Sequence, residues 1–256
     1  AVRHFLVADE VGLGKTMVAR GVIARTIEAL QDTVKRIDIV YICSNAAIAR
    51  QNVARLNVMG EAHAKVLPTR LTMLALELAR AGGIKEEGVN FFSLTPGTSL
   101  DLKQGGGMKQ ERALILRLIW DQLKDRKAVA KMLQGYAGAQ GWRETRRWID
   151  AQPIEPQIAM QFQSAIAARP ALLEDLENCA HAYKGQRLNN TELNRRRDSL
   201  VGELRTILAR ESAEALEPDL IVLDEFQRFT ELLHGDSEAA ELARRLFDAT
   251  DPDGNQ

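Results

Sequence analysis

The sequence predicts an α/β fold in which a mostly parallel sheet is flanked by helices and interrupted by a long all-helical insertion. Strand and helix patterns alternate over residues 4–101, strand character is missing over 108–216, and it returns at 219–223. Alternation of this kind implies parallel strands joined by right-handed crossovers. We therefore predict a sheet domain formed by residues 1–103 and 217–256 and a helical insertion at 104–216.

The first strand pattern, His4–Ala8, leads directly into a glycine-rich turn with the sequence Asp-Glu-Val-Gly-Leu-Gly-Lys-Thr. A strand, a glycine turn and a helix that opens with Lys-Thr form the usual cradle for nucleotide phosphates. Lys15 can reach the β- and γ-phosphates of ATP, and the Thr16 hydroxyl can bind Mg²⁺. The predicted nucleotide-binding residues are Asp9, Glu10, Gly12, Leu13, Gly14, Lys15, Thr16 and Met17. Asp9 departs from the usual pattern, which has glycine at that position.

The remaining elements of the first segment follow from apolar spacing and capping residues. Helical patterns are predicted at 15–31, 46–56 and 71–81, and strands at 37–43, 64–67 and 89–94. The last strand runs into a turn containing Thr95, Gly97 and Thr98. Loops at the carboxyl ends of parallel strands line the ligand crevice, so these residues are candidate nucleic-acid contacts. A plain Pro-Gly turn explains the same residues equally well.

The middle of the chain has helical patterns at 111–123, 142–151, 154–168, 171–183 and 191–216, after a glycine run at 105–107 that predicts a flexible break. Residues 101–150 carry 11 Lys and Arg against 6 Asp and Glu. Basic residues with interleaved aromatics can bind nucleic acid, but the pattern is more often that of a solvated helix face, and we therefore predict that the tryptophans face the core. The residues concerned are Arg143, Arg146, Arg147, Arg195, Arg196 and Arg197, with Trp142 and Trp148.

Strand character returns at Asp219–Leu223 and is followed immediately by Asp224 and Glu225. An apolar strand that ends in Asp-Glu is the expected second half of an ATP site. Asp224 would bind Mg²⁺ together with Thr16. Glu225 would orient or deprotonate the attacking water. Two helical patterns, 230–233 and 237–249, complete the chain.

Composition limits the class of protein further. Of 256 residues 45% are hydrophobic, which is enough for a core, and the net charge of -1 gives no general basic signal. Cys43 and Cys179 lack metal-ligand spacing, and Cys43 is predicted to be a reduced core residue. The sequence has neither a signal peptide nor an apolar run of the roughly 20 residues that a membrane helix needs. An intracellular, cytoplasmic protein without a membrane segment is expected.

Two of these motifs together resemble a known family. Ala8–Thr16 is similar to motif I of the Swi/Snf-like branch of the superfamily-two, DEAD/DEAH-type helicases, Asp-Glu-x-Gly-x-Gly-Lys-Thr, which also has Asp at the position of Asp9. Asp224–Gln227 is similar to motif II in its Asp-Glu-x-Gln form. By position alone, 39–45 would be motif Ia and 95–100 motif Ib, a loop that contacts nucleic acid. The resemblance covers residues 1–101 and 217–250 and leaves out the helical middle.

The resemblance implies an N-terminal RecA-like lobe that hydrolyses ATP with Mg²⁺ and tracks along nucleic acid, with double-stranded DNA as the expected partner. Catalytic roles would belong to Lys15, Glu225 and Gln227, the last coupling the nucleotide site to later motifs. Those motifs, and the arginine finger of a second RecA-like lobe, are not in this sequence. We expect the sequence to be a fragment that alone binds ATP weakly and hydrolyses it poorly.

Two alternatives remain from the sequence. The chain could be another kind of P-loop ATPase, against which Asp9, Gln227 and the 209 positions between Lys15 and Asp224 all argue. It could also be a non-catalytic interaction module that uses the helical insertion as its docking surface. Substitution of Lys15 and Glu225 separates a motor, which would lose its activity, from an interaction module, which would keep it.

Overall fold

The computed structural model describes residues 14–43, 51–52, 54–60, 65–68, 70–80, 87–95, 106–183, 190–216 and 218–224. They divide into two compact units, a sheet unit and a helical unit. The sheet unit takes its described residues from 14–68, 87–95 and 218–224, and the helical unit from 70–80 and 106–216. The predicted domain boundaries at 103/104 and 216/217 stay a prediction.

The sheet unit contains four parallel strands in the order β2-β3-β1-β4 and one long helix. Their bounds are α1 Lys15–Leu30, β1 Arg36–Ile42, β2 Lys65–Pro68, β3 Gly88–Leu94 and β4 Leu220–Leu223. Residues 51–52 and 54–56 are also helical. The predicted strands at 37–43, 64–67, 89–94 and 219–223 and the helix at 15–31 are thereby confirmed within one or two residues. The first predicted strand, 4–8, lies outside the described residues.

Strand β1 is one of the two inner strands of the described sheet, and its sequence is apolar, as an inner position requires. Ile39 lies opposite Phe91 of β3 on one side and Leu220 of β4 on the other. All of β1 after Arg36 is buried. A parallel strand that is buried on both faces needs a continuous apolar run rather than an alternating one. The segment Ile37–Ile42 has such a run, interrupted only by Asp38.

One face of the sheet packs against α1. Ile23 and Ile27, four residues apart and so on one side of the helix, are buried with Ile39 and Tyr41 of β1 and with Phe91. The same cluster includes partly buried residues of α1, of β4 and of the segment after the helical residues 54–56, and these are Ala19, Leu30, Val58, Leu220 and Val222. The apolar stripe of α1 is thus covered by three strands.

The helical unit contains seven α-helices among its described residues. They are α2 Leu74–Arg80, α3 Lys109–Ile119, α4 Arg126–Gln134, α5 Ala139–Asp150, α6 Pro156–Ala167, α7 Pro170–Ala182 and α8 Thr191–Glu214. Short 3₁₀ turns precede α2 and follow α3, at Leu71–Met73 and Trp120–Gln122. No strand occurs among the described residues of 106–216, as the sequence predicts. The two units together give a helix-rich fold with a small parallel sheet, which is compatible with the α/β class.

Helix α4 is the element that the sequence analysis missed. Its sequence has clear boundary signals, because the Asp125 side chain accepts a 3.0 Å hydrogen bond from Ala128 N at the start and Gly135 ends the helix. Val129, Met132 and Leu133 face the core at helical spacing. An Asp cap before, and a glycine after, a nine-residue amphipathic stretch are enough to predict a helix.

A buried polar network lies beneath α3 and α8. The Glu111 carboxylate accepts from Thr72 Oγ1 at 2.6 Å and from Arg205 Nη2 at 3.2 Å, and all three residues are buried. Arg197, with 1% of its surface exposed, donates to Oδ1 of Asp198 at 2.9 and 2.8 Å. Buried charges require such partners, so the network ties distant helices to one another.

The glycine run before α3 has a different role from the predicted flexible break. Arg112 Nη1 donates hydrogen bonds of 2.7 and 2.6 Å to the carbonyl oxygens of Gly106 and Gly107. A Cβ atom on Gly106 would lie 2.6 Å from Oδ1 of Asp198, and Gly107 has a φ of +63°. These two glycines therefore allow the backbone to approach the buried network closely.

Candidate functional site

The phosphate-loop prediction falls only partly on described residues. Gly14, Lys15, Thr16 and Met17 are described, whereas the residues Asp9, Glu10, Gly12 and Leu13 lie outside the described part of the chain. Glu225 and Gln227 of the second motif lie outside it too, and Asp224 lies within it. Of the predicted ATP site, the structure therefore describes Lys15, Thr16 and Asp224.

Gly14 forms the turn from which α1 begins. Its φ of 89° and ψ of 14° lie in the left-handed region, which residues other than glycine rarely adopt. The Gly14 carbonyl accepts from Met17 N at 2.7 Å and from Val18 N at 3.2 Å, which closes the first turn of the helix. The side chains of Lys15, Thr16 and Met17 are exposed. A helix that starts in this way directs backbone N–H groups and the positive end of its dipole outward.

The position of this helix start follows from the chain connection. Only residues 31–35 join the end of α1 to the start of β1, so the carboxyl end of α1 lies at the amino end of the strands. Sixteen helical residues span about 24 Å, and seven strand residues span about 23 Å. Because α1 packs across the sheet through Ile23 and Ile27, Lys15 and Thr16 lie toward the carboxyl ends of the strands.

Asp224 lies at the same end of the sheet, directly after β4. Its backbone N–H continues the ladder to β1 with a 2.9 Å hydrogen bond to the Ile42 carbonyl oxygen. Leu220 and Val222 belong to the cluster on the α1 face of the sheet. Because strand side chains alternate, Asp224 is directed to that face as well. The carboxylate and the beginning of α1 thus share one face and one end of the sheet.

Two further side chains hold the Asp224 carboxylate. The Tyr41 hydroxyl donates to Asp224 Oδ2 at 2.5 Å. The Asn52 amide donates to the same oxygen at 3.2 Å and to the Tyr41 hydroxyl at 2.9 Å. Sequence reasoning missed both residues. The signal for Tyr41 was its hydroxyl at the carboxyl end of a central strand, whereas nothing in the sequence distinguished Asn52 from a helix-surface residue.

Electrostatics keeps this tyrosine protonated. Burial raises the pKa of Tyr41 far above its usual range, and the hydrogen bond to the Asp224 carboxylate raises it further. The phenol is therefore a hydrogen-bond donor to Asp224.

The donor set at this end of the sheet suits Mg²⁺. A hydroxyl oxygen and a carboxylate oxygen are hard ligands, and Mg²⁺ in nucleotide sites takes one or two protein carboxylates together with phosphate oxygens. Among the described residues no group of three or more His, Cys, Asp or Glu is arranged to hold a metal ion. In nucleotide sites phosphates and water fill most of the coordination sphere of Mg²⁺, so that fewer protein ligands are needed. Thr16 and Asp224 fit the ion.

The predicted nucleic-acid loop is described only at its first residue. Thr95 follows β3 and is buried, whereas Gly97 and Thr98 lie outside the described residues. Cys43 N donates a 3.2 Å hydrogen bond to the Leu94 carbonyl oxygen, so β3 ends beside the end of β1. The contact of this loop with nucleic acid stays a prediction.

The basic and aromatic residues singled out from the sequence differ in exposure, and Arg146 is half-buried with its guanidinium 5.2 Å from the Trp120 ring centre. Trp142 and Arg197 are buried, which assigns them to the core. Trp148 is 41% exposed, with the Arg80 guanidinium 5.5 Å from its ring centre. Arg143, Arg147, Arg195 and Arg196 are exposed. The prediction that the tryptophans face the core is confirmed for Trp142 and is wrong for Trp148.

Within the described residues, every helix is too short or too polar to cross a bilayer. Both cysteines are buried free thiols, as predicted for Cys43. Comparisons of the chain with protein-family models, with curated proteins and with solved structures found no match.

Proposed function

We propose that the chain is the ATP-binding, RecA-like first lobe of a nucleic-acid-dependent ATPase of the translocase or helicase type. One observation carries the proposal. Asp224 follows a strand that pairs in parallel with β1, on the sheet face covered by a helix that begins with Lys15 and Thr16. A lysine, a hydroxyl and a carboxylate at the carboxyl end of a parallel sheet are the parts that ATP with Mg²⁺ requires.

Each residue of the site has a separate role in the proposal. Lys15 binds the β- and γ-phosphates, and the N–H groups at the start of α1 complete the cradle around them. Thr16 and Asp224 would hold Mg²⁺, which would offset the negative charge of the phosphates. Glu225 orients or deprotonates the attacking water, and Gln227 couples the nucleotide to the rest of the motor.

The partners of the proposed lobe follow from the same motifs. Hydrolysis would need a second RecA-like lobe of the same protein, because an arginine supplied across the cleft stabilises the transferred phosphoryl group. Double-stranded DNA is the proposed track, with Thr95, Gly97 and Thr98 near it, and an intracellular location is proposed because ATP and nucleic acid are found there. Contacts with the phosphate backbone would make the DNA affinity strongly salt-dependent.

Substitution of the phosphate-loop lysine tests the proposal. Lys15→Ala in the intact protein should weaken binding of a fluorescent ATP analogue and lower nucleic-acid-stimulated hydrolysis by roughly 100-fold or more. Lys35→Ala is the matched control, because Lys35 is also exposed but lies at the opposite end of the sheet, just before β1. Wild-type hydrolysis in Lys15→Ala would refute the ATPase proposal.

The two other classes of function predict different results. If the chain is an interaction module, both Lys15→Ala and Glu225→Gln leave its biological activity intact. If it is an ATPase that does not use nucleic acid, the hydrolysis rate does not respond to duplex DNA, single-stranded DNA or RNA. A titration of the rate against each of these three polymers, at two salt concentrations, also identifies the track.

A further inference from the structure

We propose that Tyr41 and Asn52 are positioning residues that orient the Asp224 carboxylate for a divalent metal ion. The inference rests on the proposed function and deepens it, because it identifies what supports the metal ligand. Both side chains approach one oxygen of the carboxylate, Oδ2, at 2.5 and 3.2 Å. The proposal assigns the other oxygen, Oδ1, to the metal ion.

The three side chains form a closed hydrogen-bonded triangle in which every proton has one place. An ionised carboxylate only accepts, so the Asn52 group that faces it must be the amide nitrogen. Its two protons go to Asp224 Oδ2 and to the Tyr41 hydroxyl oxygen, and the hydroxyl proton goes to Asp224. Reversing any one of these bonds would leave two acceptors facing each other. The arrangement therefore has one low-energy orientation.

The triangle is also rigid, because its members come from three separate segments. Tyr41 is 2% exposed and its ring is part of the cluster beneath α1, which prevents the hydroxyl from swinging away. Asn52 projects from the helical residues after β1, and Leu56 of the same stretch is buried in that cluster. Partners of this kind around a metal ligand commonly change metal affinity or activity 10- to 100-fold when they are removed.

The substitution Tyr41→Phe keeps the buried ring and removes only the donor. We expect it to raise the dissociation constant for Mn²⁺, used as a spectroscopic substitute for Mg²⁺, by roughly 10-fold in the presence of a non-hydrolysable ATP analogue. Asn52→Ala should raise it by a similar factor. The double variant should show less than the product of the two factors, because each single change already breaks the triangle.

The measurement is the electron paramagnetic resonance signal of free Mn²⁺, titrated into the intact protein with the ATP analogue present. Binding of the same analogue in EDTA is recorded in parallel and should be unchanged, since the triangle acts on the metal rather than on the phosphates. Tyr183→Phe is the matched control, because it removes a tyrosine hydroxyl bonded at 2.6 Å to Asn194 in the helical unit. That control should leave Mn²⁺ affinity as it is.

The outcomes separate this inference from the proposed function. If Lys15→Ala abolishes analogue binding while Tyr41→Phe and Asn52→Ala leave Mn²⁺ affinity within twofold of wild type, the positioning role is overturned and the nucleotide site stands. Equal weakening of analogue binding with and without metal also overturns it, since that result indicates general damage to the site. If Lys15→Ala binds the analogue normally, both proposals fail. Asn52→Ala, at a partly exposed position, keeps the test valid should Tyr41→Phe fold poorly.

Discussion

Asp38 of β1 and Asn90 of β3 are register partners, and Asn90 Nδ2 donates a 2.7 Å hydrogen bond to Asp38 Oδ1. Arg36 Nη2 lies 2.6 Å from the other carboxylate oxygen, and the Asp38 N–H donates to Asp219 Oδ2 at 2.7 Å. A buried carboxyl group with polar partners thus lies in an inner strand of the sheet. Burial raises the pKa of Asp38 to about 6, and its polar partners only partly offset that rise.

This raised pKa predicts a pH dependence of stability. Asp38 binds its proton more tightly in the folded state than in the unfolded chain, where its pKa is near 3.8. Its contribution to the free energy of unfolding is therefore greatest below about pH 4, falls by about 3 kcal/mol up to about pH 6, and is constant above.

Urea denaturation of wild type and Asp38→Asn at several pH values checks the prediction, because their difference isolates the contribution of Asp38. Wild type should lose stability relative to Asp38→Asn as the pH rises from 4 to 6. Asp32→Asn, at an exposed position in the turn after α1, is the control and should follow wild type. A difference that stays level, or that changes in the opposite direction, contradicts the predicted sign.

Gly107 is predicted to resist substitution by alanine. A Cβ atom there would lie 2.7 Å from Cδ and Nε of Arg205 and 2.9 Å from Oε2 of Glu111, at a positive φ. Gly107→Ala should lower the free energy of unfolding by about 2–4 kcal/mol, from backbone strain and displacement of the buried network. Gly141→Ala, within α5 and with its nearest neighbour at an ordinary 3.6 Å, should instead stabilise by up to about 1 kcal/mol. Thermal denaturation of both variants measures the contrast, and similar midpoints would disprove it.

The buried pair of Glu111 and Arg205 predicts strong coupling between two helices. Glu111→Leu leaves the Arg205 guanidinium without that carboxylate and should cost about 3–5 kcal/mol. The double variant Glu111→Leu/Arg205→Met should cost clearly less than the two single changes together. The exposed pair of Arg210 and Glu214, 3.4 Å apart, is the control, and Arg210→Ala should cost less than about 1 kcal/mol. Additive losses in a urea double-mutant cycle would rule out the coupling.

The two tryptophans of α5 are predicted to differ sharply. Trp142→Ala should cost about 3–5 kcal/mol, because the ring is buried in the helical core. Trp148→Ala should cost less than about 1 kcal/mol, because the ring is exposed and contacts Arg80 from the surface side. Denaturation monitored by circular dichroism gives both values without relying on tryptophan fluorescence. Comparable losses would mean that Trp148 also has a core role.

Much of the fold could be predicted from local patterns in the sequence. Apolar runs predicted β1, β3 and β4, and capping residues with helical spacing predicted most of the helices within a few residues. These signals are local, because the burial of a strand or helix determines the spacing of apolar residues within that element. The same local character explains why Lys15, Thr16 and Asp224 could be selected from glycine spacing and from their positions at the ends of predicted elements.

Only the tertiary structure decided which distant groups meet. Tyr41 contacts a carboxylate 183 positions away, and Glu111 contacts a guanidinium 94 positions away. The spacing of residues in the sequence does not predict such pairs. A helical arginine gives the same pattern whether its side chain contacts water or a buried carboxylate. For that reason the sequence groups Arg197 with the exposed arginines although it is buried, and it predicts a flexible break at the glycines 106 and 107. The sequence by itself determined the elements and the candidate ligands. Side-chain packing over long sequence separation decided how Asp224 is held.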